Sequence, residues 1–314
     1  MEAEAEMAGG ERSIRVGPAG WSYEDWAGIV YPARRPRDFH EAAYLAEFFD
    51  TIELNVTFYR PVKAATARGW LGRVAANPRF LFTAKLWQAL THERELTAEN
   101  VSAVRPALET LADAGKLGAV LAQFPWSFKN TEESRSYLER LVERFRDLPV
   151  VVEVRHASWN DRGFYEWLHE RGVGFCNIDQ PVIGRSLGPS GRATAPAGYV
   201  RLHGRNYEEW FREREDASGG ERYNYLYSVE ELKPWAERIR RVAESAEHTF
   251  VITNNHFHGK AVTNALQLIH LLTGRRVKAP PPLLARYPEL EAIAADEASA
   301  TPSLFPAAPG PQKT

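Results

Sequence analysis

Glu153 and Arg155 lie two residues apart in the run VVEVRHASW, so an extended strand aims both side chains at one face. Four more polar pairs repeat the spacing: Glu53 with Asn55, Thr83 with Lys85, Asn177 with Asp179, and Arg201 with His203. Carboxylates and histidines can move protons, and a guanidinium fork can grip a phosphate or carboxylate through two parallel hydrogen bonds. A lysine among other charges has two uses. It balances a carboxylate or, once desolvated, acts as a base or Schiff-base nucleophile. Glu53, Lys85, Glu153, Asp179, His203 and His256 are therefore candidate catalytic residues. Asn55, Tyr59, Gln123, Arg155, Arg201, Asn254, Asn255, Trp21 and Trp126 are candidate ligand-binding residues. On neighbouring strands, Glu53 is expected beside Lys85 and Asp179 beside Arg201.

Each of these pairs closes a short apolar, β-branched run. Strands are predicted near 14–17, 51–55, 80–85, 119–123, 150–155, 174–178, 199–203 and 250–253. Helix-period segments fall between most of them, at 38–48, 64–74, 98–114, 131–145, 163–171, 229–244 and 260–272. Eight strand–helix alternations predict a single-domain α/β fold, the (β/α)8 or TIM barrel, whose sites lie at the carboxyl ends of the strands. Burying this many ionisable groups elsewhere in a barrel would cost several kcal/mol each unless they were paired. A purely structural ion network is the competing reading. The sixth helix is expected to be short or missing, because 181–198 holds three prolines and four glycines. The long segment 204–228 after strand seven reads as a loop, either a lid or a surface excursion. The barrel is expected over 13–276, with a flexible 1–12 before it and a Pro/Ala-rich extension at 277–314 whose end lacks fixed structure.

Composition narrows the partners. The formal net charge is −2, so anion preference must come from local clustering rather than a global field. Cys176 is the single cysteine, which allows no intrachain disulfide and suits a reducing, cytoplasmic setting. The opening MEAEAEMAGGER has no apolar core of a secretory signal, and no apolar run is long enough to span a membrane. Five of nine histidines (His92, His156, His203, His256 and His258) fall on strand ends or the loops after them. No cofactor motif is visible. A divalent metal could draw on Glu153, Asp179, His203 and His256, although no fixed-spacing signature such as H-E-x-x-H occurs. Trp21, Trp26, Trp87, Trp126, Trp159 and Trp210 lie in or near the same loops, with Phe58 and Tyr59, and suggest an aromatic rim for a ring-bearing ligand. The run Asn254-Asn255-His256-Phe257-His258-Gly259-Lys260 opens the last helix, a place where free backbone N–H groups favour anions.

The motifs are specific enough to resemble a family. GPAGWSYEDW (17–26), TIELNVTFYR (51–60), FTAKLWQALTHE (82–93), AVLAQFPWSF (119–128), VVEVRHASW (151–159), NIDQP (177–181), VRLHGR (200–205), RYNYLYSVEEL (222–232) and NNHFHGKAVTNALQL (254–268) together resemble the YecE-like domain-of-unknown-function family 72. They cover about 14–275 in order. Val56 departs from the small hydroxyl residue usual at its place. The resemblance implies a TIM barrel and brings no activity with it. The barrel is similar to those of the endonuclease IV and xylose isomerase groups, which use metals, but here lysine and arginine are mixed into the carboxylate and histidine positions.

Three functions compete. The first is an enzyme acting by acid/base chemistry on an anionic, phosphorylated, sugar-like or nucleotide-like ligand. The second is a nucleic-acid-binding protein or nuclease-like phosphodiesterase. The third is a non-catalytic small-molecule binder. Oligomeric state, substrate and reaction are not specified by the residues.

Overall fold

A computed structural model describes residues 12–207 and 223–295. Eight strands form one all-parallel sheet in the order β1-β8-β7-β6-β5-β4-β3-β2. They are β1 Ser13–Pro18, β2 Thr51–Leu54, β3 Leu81–Lys85, β4 Leu117–Gln123, β5 Val150–Glu153, β6 Gly174–Asp179, β7 Ala197–Leu202 and β8 His248–Thr253. The crossovers carry α1 Glu41–Leu45, α2 Val56–Tyr59, α3 Ala64–Val74, α4 Gln88–Thr91, α5 Ala98–Asp113, α6 Glu132–Arg144, α7 Arg162–Glu170, α8 Val229–Ala243 and α9 Lys260–Thr273. The expected single-domain (β/α)8 barrel is therefore present. As expected from its prolines and glycines, the β6–β7 connection has no helix.

Local chemistry explains most boundaries. Thr131 caps α6 through the Ser134 N–H, and Asp161 caps α7 through the Phe164 N–H. Ser228 and Glu231 form a reciprocal capping box at the start of α8. Gly115 and Gly172 stop their helices with φ of +63°. The first helix is shorter than the expected 38–48, because the His40 side chain accepts from the Ala42 N–H and starts it later. Strand five also ends earlier in the ladder, at Glu153, with Arg155 just beyond.

The seam between the first and last-listed edges of the sheet positions one candidate residue. Ala19 bridges to Glu53, and the Gly20 N–H donates to the Glu53 carbonyl at 2.8 Å. This close approach needs Gly17, where an added Cβ would lie 1.9 Å from the Thr51 carbonyl oxygen. Gly17→Ala must force β1 and β2 apart, and overpacking of this kind costs about 1–3 kcal/mol or more. Chemical denaturation should show that loss, and an unchanged midpoint would contradict the seam's tightness.

Residues 277–295 fold back on the barrel. The Val277 and Ala294 backbones bridge, α10 Pro281–Arg286 follows, and Leu283, Tyr287 and Leu290 are buried. The Tyr287 hydroxyl donates to the His258 carbonyl in the loop after β8. The expected flexible amino-terminal stretch, most of the 204–228 loop including Trp210, and the end of the carboxyl-terminal extension lie outside the described residues. Among the described residues, no helix is long and apolar enough to cross a membrane.

Candidate active site at the barrel mouth

The inward faces of β2, β5 and β7 meet in one charged network. Arg201 is its hub. One terminal nitrogen donates to Glu53 Oε1 at 2.8 Å, and the other donates to Glu153 Oε2 at 2.7 Å and to Gln123 Oε1 at 2.9 Å. Arg155 donates twice to Glu153 Oε1, at 3.0 and 2.8 Å. Tyr199, one inward step below Arg201, lies 3.0 Å from Glu53 Oε2 and 2.7 Å from Thr83 Oγ1, so it donates to the carboxylate and accepts from the threonine. Glu53, Glu153, Arg201 and His203 are all fully buried. Burial pushes the Glu153 carboxyl up, but Arg201, Arg155 and His203 together hold it well below the usual carboxylate range.

His203 closes the network on its upper side. Its Nε2 is 3.2 Å from Glu153 Oε1, and its Nδ1 is 3.0 Å from Asn254 Nδ2. An amide nitrogen can only donate, so Nδ1 accepts and the proton sits on Nε2, directed at Glu153. Burial, opposed by Glu153, pulls His203 from 6.5 to about 3. The ring is thus neutral across the physiological range and serves first to orient Glu153. The sign of its effect on stability follows. Between about pH 3 and the unfolded value of about 6.5 the unfolded chain binds the extra proton, so stability is full above that window and falls as pH drops through it. His92 and His256, both lowered to about 4 mainly by burial, act in the same direction. Urea denaturation of His203→Gln should show a flatter decline across this window than the parent, whereas identical slopes would contradict a buried neutral His203.

Lys85 stands apart from its neighbours. Both buried glutamates are taken by arginine, tyrosine and histidine, and Lys85 Nζ has no hydrogen bond or ion pair among the described residues. It lies instead over the Phe58 ring, 3.9 Å from the centroid, with the His92 ring edge-on to Phe58 at 5.0 Å. The expected Glu53–Lys85 pair does not form, because the Arg201 fork reaches across the barrel and takes that carboxylate. Burial, then the Arg201 charge, pulls Lys85 from 10.5 down to about 7, with Glu53 and Glu153 opposing. Lys85 and Gln123 are each 9% exposed, Asn254 is 6% exposed, and Arg155 is partly exposed. Asn55, whose amide is 3.4 Å from the Tyr23 hydroxyl, flanks them.

Other candidates are placed elsewhere. Cys176 Sγ is 3.8 Å from Glu153 Oε2, so β6 turns its even positions inward and Asn177 and Asp179 outward. Asn177 braces the β6–β7 connection through Ser190 and Arg192. Asp179 is held bidentately by Arg205, at 2.8 and 3.0 Å, and not by Arg201 as expected. Arg205 also reaches Glu231. His256 stacks on Tyr23, with centroids 4.3 Å apart, and its charged neighbour is Asp25. Glu153, Asp179, His203 and His256 therefore do not come together as one metal-ligand set, and among the described residues no three His, Cys, Asp or Glu side chains converge in a metal-holding group.

Asn255 acts as a brace, donating to the Tyr225 carbonyl and to Asn264 Oδ1. The aromatic rim is thinner than expected. Trp26 and Trp159 are core residues, and Trp21 packs against Trp70 and Phe82 on the helix side. Trp126 remains in the loop after β4, beside His156 and Lys129, and Tyr59 is 66% exposed next to Phe58. A groove of about 560 Å³ lies on the outer side of α7, lined in part by Tyr165, His169 and Arg192, and shares no residue with the mouth.

The geometry can be set against known proteins. The family model described as "Protein of unknown function DUF72" matches residues 15–286, nearly all of the barrel and its carboxyl-terminal packing segment. The chain belongs to the DUF72 family. The UPF0759 protein YunF of Bacillus subtilis (strain 168) is 30% identical over 278 residues, covering 82% of this chain and 94% of the relative. A DUF72 family protein of Thermotoga maritima MSB8 (TM1631) superposes with a TM-score of 0.71 at 34% identity, over 82% of this chain and 98% of that one. A DUF72 family protein of Enterococcus faecalis V583 (EF0366) shares the fold, with a TM-score of 0.71 at 24% identity over 83% of this chain and 95% of that one. DUF72 membership agrees with the resemblance read from the motifs and carries no reaction with it.

Tyr199 is a site residue that strand-end reasoning passed over. Tyr199 was within reach, since it continues the inward series of Arg201 and His203 at the same spacing. Phe58 was read as part of the aromatic rim, but its place under Lys85 depends on the turn of α2 after β2.

Proposed function

We propose that this DUF72 protein is an enzyme acting on a small anionic ligand, sugar-like or nucleotide-like, by acid/base chemistry at the barrel mouth. Arg155 is the anion contact, Lys85 is the base, and Gln123, Asn55 and Asn254 are the polar groups that orient the ligand. Charge balance carries this reading. Among the described residues, Glu53 and Glu153 are matched by Arg201 and Arg155, so this network is neutral only while Lys85 is unprotonated. A proton on Lys85 leaves one buried positive charge in need of a counter-ion. A bound anion supplies it. Lys85 can thus take a proton from the ligand and hold it as an ammonium beside the ligand's own negative group.

The test is a thermal-stabilisation panel of sugar phosphates, nucleotides and short oligonucleotides, followed by product detection on each binder by ³¹P and ¹H NMR. A ligand at about 100 times its Kd should add about 2.7 kcal/mol. Arg155→Met should weaken its binding by roughly 10–100-fold, the value of a charge-assisted pair. Lys85→Met should abolish turnover. Equal binding and turnover in both variants would end this reading. Tight binding without any product would favour the non-catalytic binder, and preference for oligonucleotides over mononucleotides would favour the nucleic-acid alternative.

A further inference from the structure

We propose that Lys85 forms an imine with the carbonyl carbon of a small anionic aldehyde or ketone, which makes carbonyl-bearing anions the substrate class of this site. The inference rests on the anion-binding reading above and adds a covalent step to it.

Three observations point the same way. First, Lys85 Nζ receives no hydrogen bond among the described residues, so no donor occupies its lone pair. Second, Phe58 covers one side of the amine at 3.9 Å as an apolar wall, and Lys85 keeps 9% of its surface exposed, with the partly exposed Arg155 as a charged neighbour. Third, among the described residues the closed pairing of Glu53 and Glu153 with the two arginines leaves no counter-ion for a cation on Lys85. An iminium ion is such a cation, and only a ligand that brings its own negative group can balance it. The lowered basicity of Lys85 supports the step, since about half of it is free amine near neutral pH.

The chemistry balances. The Nζ lone pair attacks the carbonyl carbon, a C–N bond forms, and the carbonyl π pair moves to oxygen. Proton transfer from nitrogen to that oxygen gives a carbinolamine. The C–O bond then breaks, water leaves with the second amine hydrogen, and a proton from solvent converts the imine to the iminium. No oxidant or reductant is required.

The experiment incubates the full-length protein at neutral pH with glyoxylate or glycolaldehyde phosphate as anionic probes, or glycolaldehyde as the neutral control, in the presence of cyanoborohydride. Peptide mass spectrometry locates the reduced adducts. With the anionic probes, labelling of Lys85 should exceed that of the other lysines by about tenfold or more, because ordinary lysines are almost wholly protonated. It should exceed labelling by glycolaldehyde and fall when inorganic phosphate is added. Lys85→Arg should lose only this adduct, with its melting temperature reported alongside. If phosphate stabilises the protein and Lys85→Met abolishes that effect, yet Lys85 is labelled no more than other lysines, the imine is overturned and the anion-binding reading stands. Equal labelling by glycolaldehyde overturns the anionic substrate class. Neither phosphate stabilisation nor labelling overturns both.

Discussion

Lys85→Met should raise the stability of the protein at neutral pH while abolishing its turnover. The sign follows from the proton balance. Lys85 is lowered to about 7 in the fold, against about 10.4 in an unfolded chain. Between those values the unfolded chain holds the proton and the folded one does not, so wild-type stability increases as pH rises through that window. Below about pH 7 the full cost is present, and a shift of this size corresponds to an upper limit of roughly 4–5 kcal/mol. Methionine fits the same unbranched space over Phe58 and has no charge to desolvate. The stabilisation should therefore be largest near pH 6–7 and shrink toward about pH 10. Urea denaturation at several pH values measures it. A variant less stable than wild type at neutral pH would mean that Lys85 is a satisfied structural cation. Natural chains rarely keep so costly a group without a functional return.

Arg201→Met should be the most damaging single change at the mouth. Arg201 is the hub that pairs with two fully buried carboxylates, and removing one partner of such a set costs about 3–5 kcal/mol. At roughly 2–4 °C per kcal/mol for a domain of this size, the melting temperature should fall by about 10 °C. The deficit should narrow as pH falls, because the stranded glutamates can then escape by protonation, whereas wild-type Glu153, held well below the ordinary range, resists it. Combining Arg201→Met with Glu53→Gln should recover much of the loss, since the remaining Glu153 keeps Arg155 as its partner. A single variant that loses under about 1 kcal/mol would show that the network is far better solvated than its burial implies.

The two variants separate the paired glutamate–arginine network from Lys85, and that separation was only half legible in the residues. Spacing by two put Glu53, Lys85, Glu153, Arg155, Arg201 and His203 on shared strand faces, and those faces do turn inward. The same spacing put Asn177 with Asp179 correctly but could not say which way β6 faces. That was decided by Cys176, an apolar residue that belongs to the interior. Pairing by strand adjacency failed for a different reason. Asp179 faces outward to Arg205, while the inward guanidinium of Arg201 is long enough to reach across the barrel to Glu53 on β2 and Glu153 on β5.

Tryptophan counts also misled. Trp26 and Trp159 supply core volume, their indole N–H groups bonded to the His256 and Phe128 carbonyls, so they cannot line a rim. Helix positions were easier, as with 131–145, because an amphipathic period and the Thr131 cap are local signals. The basicity of Lys85 and the tautomer of His203 were out of reach, since each depends on contacts gathered from several strands.

Direct titration of Lys85 tests the central claim, that the closed glutamate–arginine pairing leaves this amine only about half protonated near neutral pH until an anion arrives. Lysine-selective isotope labelling, with the Lys85→Arg spectrum for assignment, allows its Nζ protonation to be followed by NMR with and without saturating inorganic phosphate. The amine should titrate near 7 in the free protein and move upward by more than about one unit with phosphate bound. A midpoint near the ordinary 10.5 in the free protein, or one that phosphate leaves unmoved, would contradict the account.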